Sequence, residues 1–157
     1  MMSANIRLAA ADDLPIIHQI IHDAYAHYVP RIGRKPAPML TDYSEKITGG
    51  NLYVVELNGT VAGTLALYPK PEAMGLGDVA VAPHAQGSGL GRLLLDFAEN
   101  KARSEGFDRM ELFTNVAMTE NVVIYEKRGY QETHRVVEHG LHRVYMTKAL
   151  EPVPQGQ

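Results

Sequence analysis

The sequence predicts a mixed α/β fold in layers (an α+β arrangement), and three observations carry that prediction. Two hairpin signatures, at 51–69 and 130–150, put antiparallel strands in both halves of the chain. Residues 74–116 between them read strand–helix–strand, and a crossover of that kind joins parallel strands. A length of 157 residues with 45% apolar content suffices to bury one core. The expectation is a mostly antiparallel sheet with a central parallel pair, flanked by helices. It forms one domain over 1–150, followed by a flexible tail over 151–157.

Each element has a local reason. IRLAA (6–10) is a short apolar run and reads as the first strand. Asp12 and Asp13 offer N-caps, Pro15 suits a first helical turn, and Leu14, Ile17, Ile21, Ala24, Tyr25 and Tyr28 form a helical stripe. The spacing predicts a helix over 12–27. Three prolines, one glycine and three cations in 28–40 predict a loop without regular structure. Thr41 and Asp42 cap a short helix to Thr48, stopped by Gly49-Gly50. Asn58-Gly59 joins the two strands of the first hairpin, and MGLGDVAVAP (74–83) is a further strand ended by Pro83. Leu90, Leu93, Leu94, Phe97 and Ala98 mark one face of a helix over 87–106, with Gly106 as its stop. A strand over 109–116 and a helix over 119–129 follow, the helix capped by Thr119 and closed by Gly129. The last hairpin turns at His139-Gly140.

Composition narrows the chemistry. Fifteen Lys and Arg against eighteen Asp and Glu give a net charge of −3, which argues against nucleic-acid binding by broad phosphate neutralisation. Without cysteine the chain has no disulfide, no thiolate nucleophile and no Cys-held metal. No apolar run approaches the roughly 18 residues of a membrane helix, and the opening has no signal-peptide stretch, so the cytoplasm and no membrane partner are the expectation. His18 and His22 stand at the i, i+4 spacing of a zinc helix, but Gln19 replaces the catalytic glutamate and no third ligand is evident. No metal is expected.

The sharpest constellation is VAVAPHAQGSGLGRLL (79–94). A strand ends, a short turn follows, and Gly87, Gly89 and Gly91 open a helix. Such glycines let backbone N–H groups approach a ligand, and a helix N-terminus adds about half a positive charge. Arg92 supplies a further cation in the first turn. The pattern reads as a phosphate cradle, against the plainer alternative of a turn that only lets strand meet helix. It is not a P-loop, since no Lys-Ser/Thr follows the last glycine, and the glycine spacing does not fit a Rossmann fingerprint.

Gln86-Gly87-Ser88-Gly89-Leu90-Gly91 resembles the Gln/Arg-x-x-Gly-x-Gly/Ala motif of the GCN5-related N-acetyltransferases, the GNAT family. Val79-Ala80-Val81 and Pro83 precede it where that family ends its fourth strand. The run Glu120 to Tyr130, ENVVIYEKRGY, is similar to the family's later helix, and the element order fits over roughly 5–149. The resemblance implies the GNAT-like acyltransferase fold and acetyl-CoA as cosubstrate. It implies the pyrophosphate on the amides of Gly87 to Arg92, the pantetheine arm along Val79 to Val81 where the parallel strands part, and a contact from Asn121. It implies Tyr125 as the acid that protonates the departing thiolate; a phenol is protonated at pH 7 and can do so. By pattern alone, without the motif, Tyr125 reads more readily as a core aromatic on an amphipathic helix.

One departure matters. Many relatives carry a glutamate shortly before the Val-Ala-Val equivalent, acting as base, and the same-face positions here are Gly75 and Gly77. Alternation turns Asp78 and Glu72 to the other face unless a bulge intervenes, so the base is unassigned. The reading is a transfer of acetyl from acetyl-CoA to a primary amine by direct attack in a ternary complex. The acceptor is a small molecule or a protein N-terminus. A non-catalytic CoA-binding sensor is the rival. Arg31, Arg34 and Lys35 are candidate acceptor-side cations, and His139 at a hairpin tip is a candidate neighbour of the acceptor. The resemblance also allows a homodimer.

Overall fold

The computed structural model describes residues 3–152. Among these, the strands are β1 (Ala4–Leu8), β2 (Leu52–Leu57), β3 (Thr60–Pro69), β4 (Met74–Val81), β5 (Arg109–Asn115), β6 (Gln131–Glu138) and β7 (Leu141–Ala149). They form one sheet in the order β1-β2-β3-β4-β5-β7-β6. The helices are α1 (Leu14–Tyr25), α2 (Val29–Ile32), α3 (Tyr43–Thr48), α4 (Leu90–Ser104) and α5 (Thr119–Lys127). β2 runs antiparallel to β1 and β3, and β7 to β5 and β6. β4 is parallel to β5, in register at Met74 with Met110 and Gly75 with Glu111. The fold class is the one the hairpins and the crossover predict.

Both hairpins close on two successive residues of positive φ, Asn58-Gly59 (54° and 86°) and His139-Gly140 (52° and 76°). That is the type I′ geometry whose twist matches the strands it joins. Other expectations need correction. The helix predicted over 12–27 is α1 flanked by two short 3-10 turns, Ala11–Asp13 and Ala26–Tyr28. Asp13 does not cap α1 with its side chain. Its carboxylate reaches back to the Ala10 N–H at 2.7 Å and grips Arg7 through both oxygens. The Arg7 hydrogen bonds hold it below the usual carboxylate range.

The 28–40 segment is not a plain loop. It holds α2 and a 3-10 turn, Ala37–Leu40. Pro30 and Pro38 fall in first turns, where a missing N–H costs nothing, and Gly33 closes α2 at φ 88°. Thr119 is the first residue of α5 and not its cap, a place that Met118 takes. Of the expected tail, residues 153–157 lie outside the described residues, and the Glu151 carbonyl accepts a hydrogen bond from Arg103 at 2.7 Å.

The chain divides into two compact units, and β4 and α4 each pass from one into the other. One comprises the described residues up to Leu67 together with Gly77–Asp96. Its core is set by Ile17, Ile20 and Ile21 of α1, by Leu52, Val54 and Leu65, and by Leu90 and Leu94, all buried. The second comprises Tyr68–Leu76 and the described residues from Phe97 onward. Met110, Leu112, Val144 and Met146 are buried there, as is Glu99. Glu99 receives Arg128 Nε at 2.7 Å and Lys148 Nζ at 2.8 Å, one cation on each oxygen.

Candidate active site

In the first unit, β4 ends at Val81 and the chain turns through Pro83–Ala85 to the start of α4. Gly87 and Gly89 take φ of 82° and 87°, the left-handed region that disfavours a side chain. A Cβ at either position would meet nothing within 4 Å, so backbone conformation and not crowding requires glycine there, and the space beside the backbone is open. Gly91 is ordinary by comparison, its added Cβ meeting only Val81 Cγ2 at 4.0 Å. The Ser88 hydroxyl donates back to the Ala85 carbonyl and pins the turn. Gln86 and Arg92 are exposed at its rim, whereas Leu90 is buried and anchors the helix beneath. The first turn of α4 has N–H groups without intrahelical partners, so the turn carries the donors and the open space that an anion needs.

Strand alternation sorts the end of β4 into two faces. Val81 lies against Gly91 of α4. Asp78 points the other way, where it accepts a 2.6 Å hydrogen bond from the Tyr43 hydroxyl of α3. Tyr25 of α1 joins that face, its hydroxyl donating to the Val79 carbonyl at 3.5 Å. Tyr43 is only 1% exposed, whereas Asp78 keeps part of its surface open. Burial pushes the Asp78 carboxyl up, against the opposing effects of the Tyr43 hydrogen bond and the Lys46 charge. Burial, then the charge of Asp78, pushes the Tyr43 phenol far up, so it stays a donor.

Lys35 lines a cavity of about 300 Å³ with His18, His22, Met39 and Tyr43. Arg31 instead lies over the Tyr28 ring at 5.0 Å, and Arg34 is exposed.

The second unit holds the other candidates. Tyr125 of α5 is half-buried, its ring edge-on to Tyr130 at 5.6 Å. α5 has no buried residue, so Tyr125 is not a core aromatic of that helix. The Asn121 amide donates to Met118 Sδ at 3.6 Å. His139 is exposed at its hairpin tip. A side chain at Gly75 would force the Tyr68 ring to move, because an added Cβ would sit 2.3 Å from it. Glu72 is a surface residue, its side chain 87% exposed beside Arg109 at 3.8 Å. Sequence reasoning turned Asp78 to the correct face yet passed over Tyr43. The available signal was an acidic residue inside an otherwise apolar, glycine-rich strand, where β-propensity disfavours it.

Comparison with known proteins gives the family and the fold. The sequence model of the family described as "Acetyltransferase (GNAT) family" matches residues 16–130. The amino-acid acetyltransferase of Ralstonia nicotianae is 35% identical over 130 residues, 80% of this chain and 26% of that protein. The chain thus spans about a quarter of the length of that curated relative. The ribosomal-protein-S18-alanine N-acetyltransferase of Escherichia coli superposes with a TM-score of 0.73 at 19% identity, over 99% of both chains. An N-acetyltransferase from Thermoplasma acidophilum, solved in complex with coenzyme A, does so at 0.74 and 17%, over 94% of this chain and 99% of that one.

Proposed function

This chain belongs to the GNAT acetyltransferase family, and on that premise we propose that it transfers an acetyl group from acetyl-CoA directly to a primary amine. The single observation that carries the reading is the glycine turn at the start of α4. Two left-handed glycines there open the backbone beside a helix N-terminus. The residues fit a CoA donor. Gly87 to Arg92 would hold the pyrophosphate, with Gln86 at the edge of the turn. The backbone of Val79 to Val81 would pair with the pantetheine arm, and Asn121 would contact it. The donor, when bound, supplies an activated thioester.

The chain's own contribution is position and protons. Backbone amides at the end of β4 orient and polarise the reacting carbonyl. The Tyr125 hydroxyl donates a proton to the leaving sulfur. With no cysteine in the chain a Cys-acyl intermediate is excluded, which fits direct attack by the amine. Residues 1–150 act as one acetyltransferase domain in this reading, and the family match across both compact units supports that. A relative named for amino acids and a structural neighbour named for an alanine of ribosomal protein S18 support an amine acceptor, small or on a protein. A cytoplasmic setting suits it, and among the described residues no helix is long and apolar enough to cross a membrane.

The test is release of free CoA thiol from acetyl-CoA, measured across a panel of amino acids, peptides and small amines, with products identified by mass spectrometry. Amine-dependent release with an acetylated product is expected. A protein that binds CoA but releases none with any amine would be a CoA-binding sensor instead.

A further inference from the structure

We propose that Asp78 docks the ammonium group of the acceptor and takes its first proton, with Tyr43 as the residue that positions the carboxylate. The inference rests on the acetyl-transfer reading and names the chemistry of the acceptor's reacting end, which arrives as a cation.

Three observations converge on Asp78. The first is its place. Asp78 lies one residue before Val79, and at about 3.3 Å per residue its backbone is within about 10 Å of Val81. Val81 and the glycine turn lie on the α4 face of β4, whereas Asp78 lies on the face of Tyr43 and Tyr25. In the proposed reading the donor's arm runs along the Val79 to Val81 backbone, and Asp78 adjoins that segment on the face away from α4. Asp78 is partly exposed there.

The second observation is its electrostatic environment. Asp78 is hydrogen-bonded by a neutral phenol, and the charged group acting on it is Lys46, through space. Burial outweighs both and favours the protonated acid. The titratable groups on this face are Tyr43 and Lys46 of α3 and Tyr25 of α1, with His18 against the Tyr43 ring at 6.1 Å. A carboxylate under-compensated by its own protein is stabilised by a cation brought from outside. A raised carboxyl is also a better base toward an ammonium than an ordinary surface aspartate.

The third is the exclusion of rivals. Gly75 carries no carboxylate and packs against the Tyr68 ring, and Glu72 faces solvent beside Arg109.

The protons balance. One proton passes from R–NH3+ to the Asp78 carboxylate and on to solvent. The free amine forms the C–N bond as the C–S bond breaks. Nitrogen then loses a second proton, which balances the one taken up by the CoA sulfur.

The experiment compares wild type with Asp78→Asn, which keeps the size of the side chain and an acceptor for Tyr43, and with Tyr43→Phe. Retention of the CoA-induced thermal shift certifies that each variant is folded. With an accepted amine from the panel, Asp78→Asn should lower kcat/KM by about 10²–10⁴-fold and abolish the acid limb of its pH profile. Tyr43→Phe should keep the limb and move it to higher pH, because the lost hydrogen bond favoured the carboxylate. A loss below threefold, with the limb unchanged in Asp78→Asn, overturns the proposal.

Binding is read separately from turnover. n-Butylammonium chloride should raise the Tm of CoA-saturated wild type above that in sodium chloride of equal ionic strength, and should not do so for Asp78→Asn. An equal rise in both proteins, or none in wild type, overturns the docking role. Absent thiol release with Asp78-dependent butylammonium binding would sink the transfer reading and leave the docking site standing.

Discussion

Glu99 is a buried carboxylate and Asp78 a half-buried one, and their surroundings are opposite. Glu99, 4% exposed, has a cation on each oxygen, Arg128 and Lys148. Asp78 has a neutral tyrosine, with a lysine acting only through space. A buried carboxylate with a cation on each oxygen serves the architecture. One whose carboxyl is pushed up by burial, with a phenol hydrogen bond and the Lys46 charge opposing, gains from a further cation brought to it. The difference separates structure from chemistry without reference to any motif, and each of the following measurements breaks or sharpens it.

The largest effect is expected next to the paired site and should leave that site intact. Lys148 also lies over the Tyr130 ring at 5.8 Å, and Tyr125 packs edge-on against the same ring. The Glu99 network therefore braces the surface on which the proposed acid rests. Tyr125→Phe keeps the ring and removes only the hydroxyl. It should lower kcat about 10²–10⁴-fold with little change in Tm or in CoA affinity. A fall of less than threefold, with chemistry shown to be rate-limiting, removes Tyr125 from the acid role.

Glu99→Gln comes next. It strands two cations that are only 17% and 20% exposed at their side chains. Breaking one side of a buried ion pair costs about 3–5 kcal/mol, and the lower end applies where the cations keep some contact with water. Chemical denaturation should show that loss. A variant as stable as wild type would mean that Glu99 is not the structural half of the pair.

Asp78→Asn should move stability the other way. The folded Asp78 carboxyl is raised above its usual 3.8, so its contribution is full below that value and is lost as pH rises through the folded value. The asparagine variant has no such loss. The Tm gap in its favour should be absent near pH 4 and open with rising pH to about 2–4 °C for each kcal/mol relieved. Lower stability of Asp78→Asn at neutral pH would make Asp78 a structural residue like Glu99.

Much of the fold is legible in the sequence alone. The hairpins, the crossover and the glycine turn rest on local signals, such as Asn58-Gly59 and Gly87 with Gly89, whose backbone conformations only a few residue types adopt readily. The prolines of 28–40 misled, because a proline breaks a helix interior but suits a first turn, and the sequence does not mark where a turn begins. The Asp78–Tyr43 pair was out of reach for another reason. Alternation set the face of Asp78, but its partner lies 35 positions away on a six-residue helix that any capped turn would explain. The close approach of Gly75 and the Tyr68 ring is likewise between residues distant in local pattern, and it appears only once Tyr68 is packed.

The smallest effect tests the through-space part of the comparison. Lys46 favours the Asp78 carboxylate by its charge, and no hydrogen bond between them is needed for that. Lys46→Met keeps most of the side-chain bulk and removes the charge, so the Asp78 carboxyl should rise and the acid limb of kcat/KM should follow it to higher pH. A charge pair of this kind is worth about 0.2–1 kcal/mol, and at 1.36 kcal/mol per pH unit the displacement is about 0.1–0.7 unit. Screening gives the control. With a Debye length near 10 Å at 0.1 M salt and 3 Å at 1 M, the difference between wild type and Lys46→Met should shrink as salt is added, while the limb itself persists. A displacement toward lower pH would mean that Lys46 does not act on Asp78 as a counter-charge, and the contrast with the twice-paired Glu99 would then rest on Tyr43 alone.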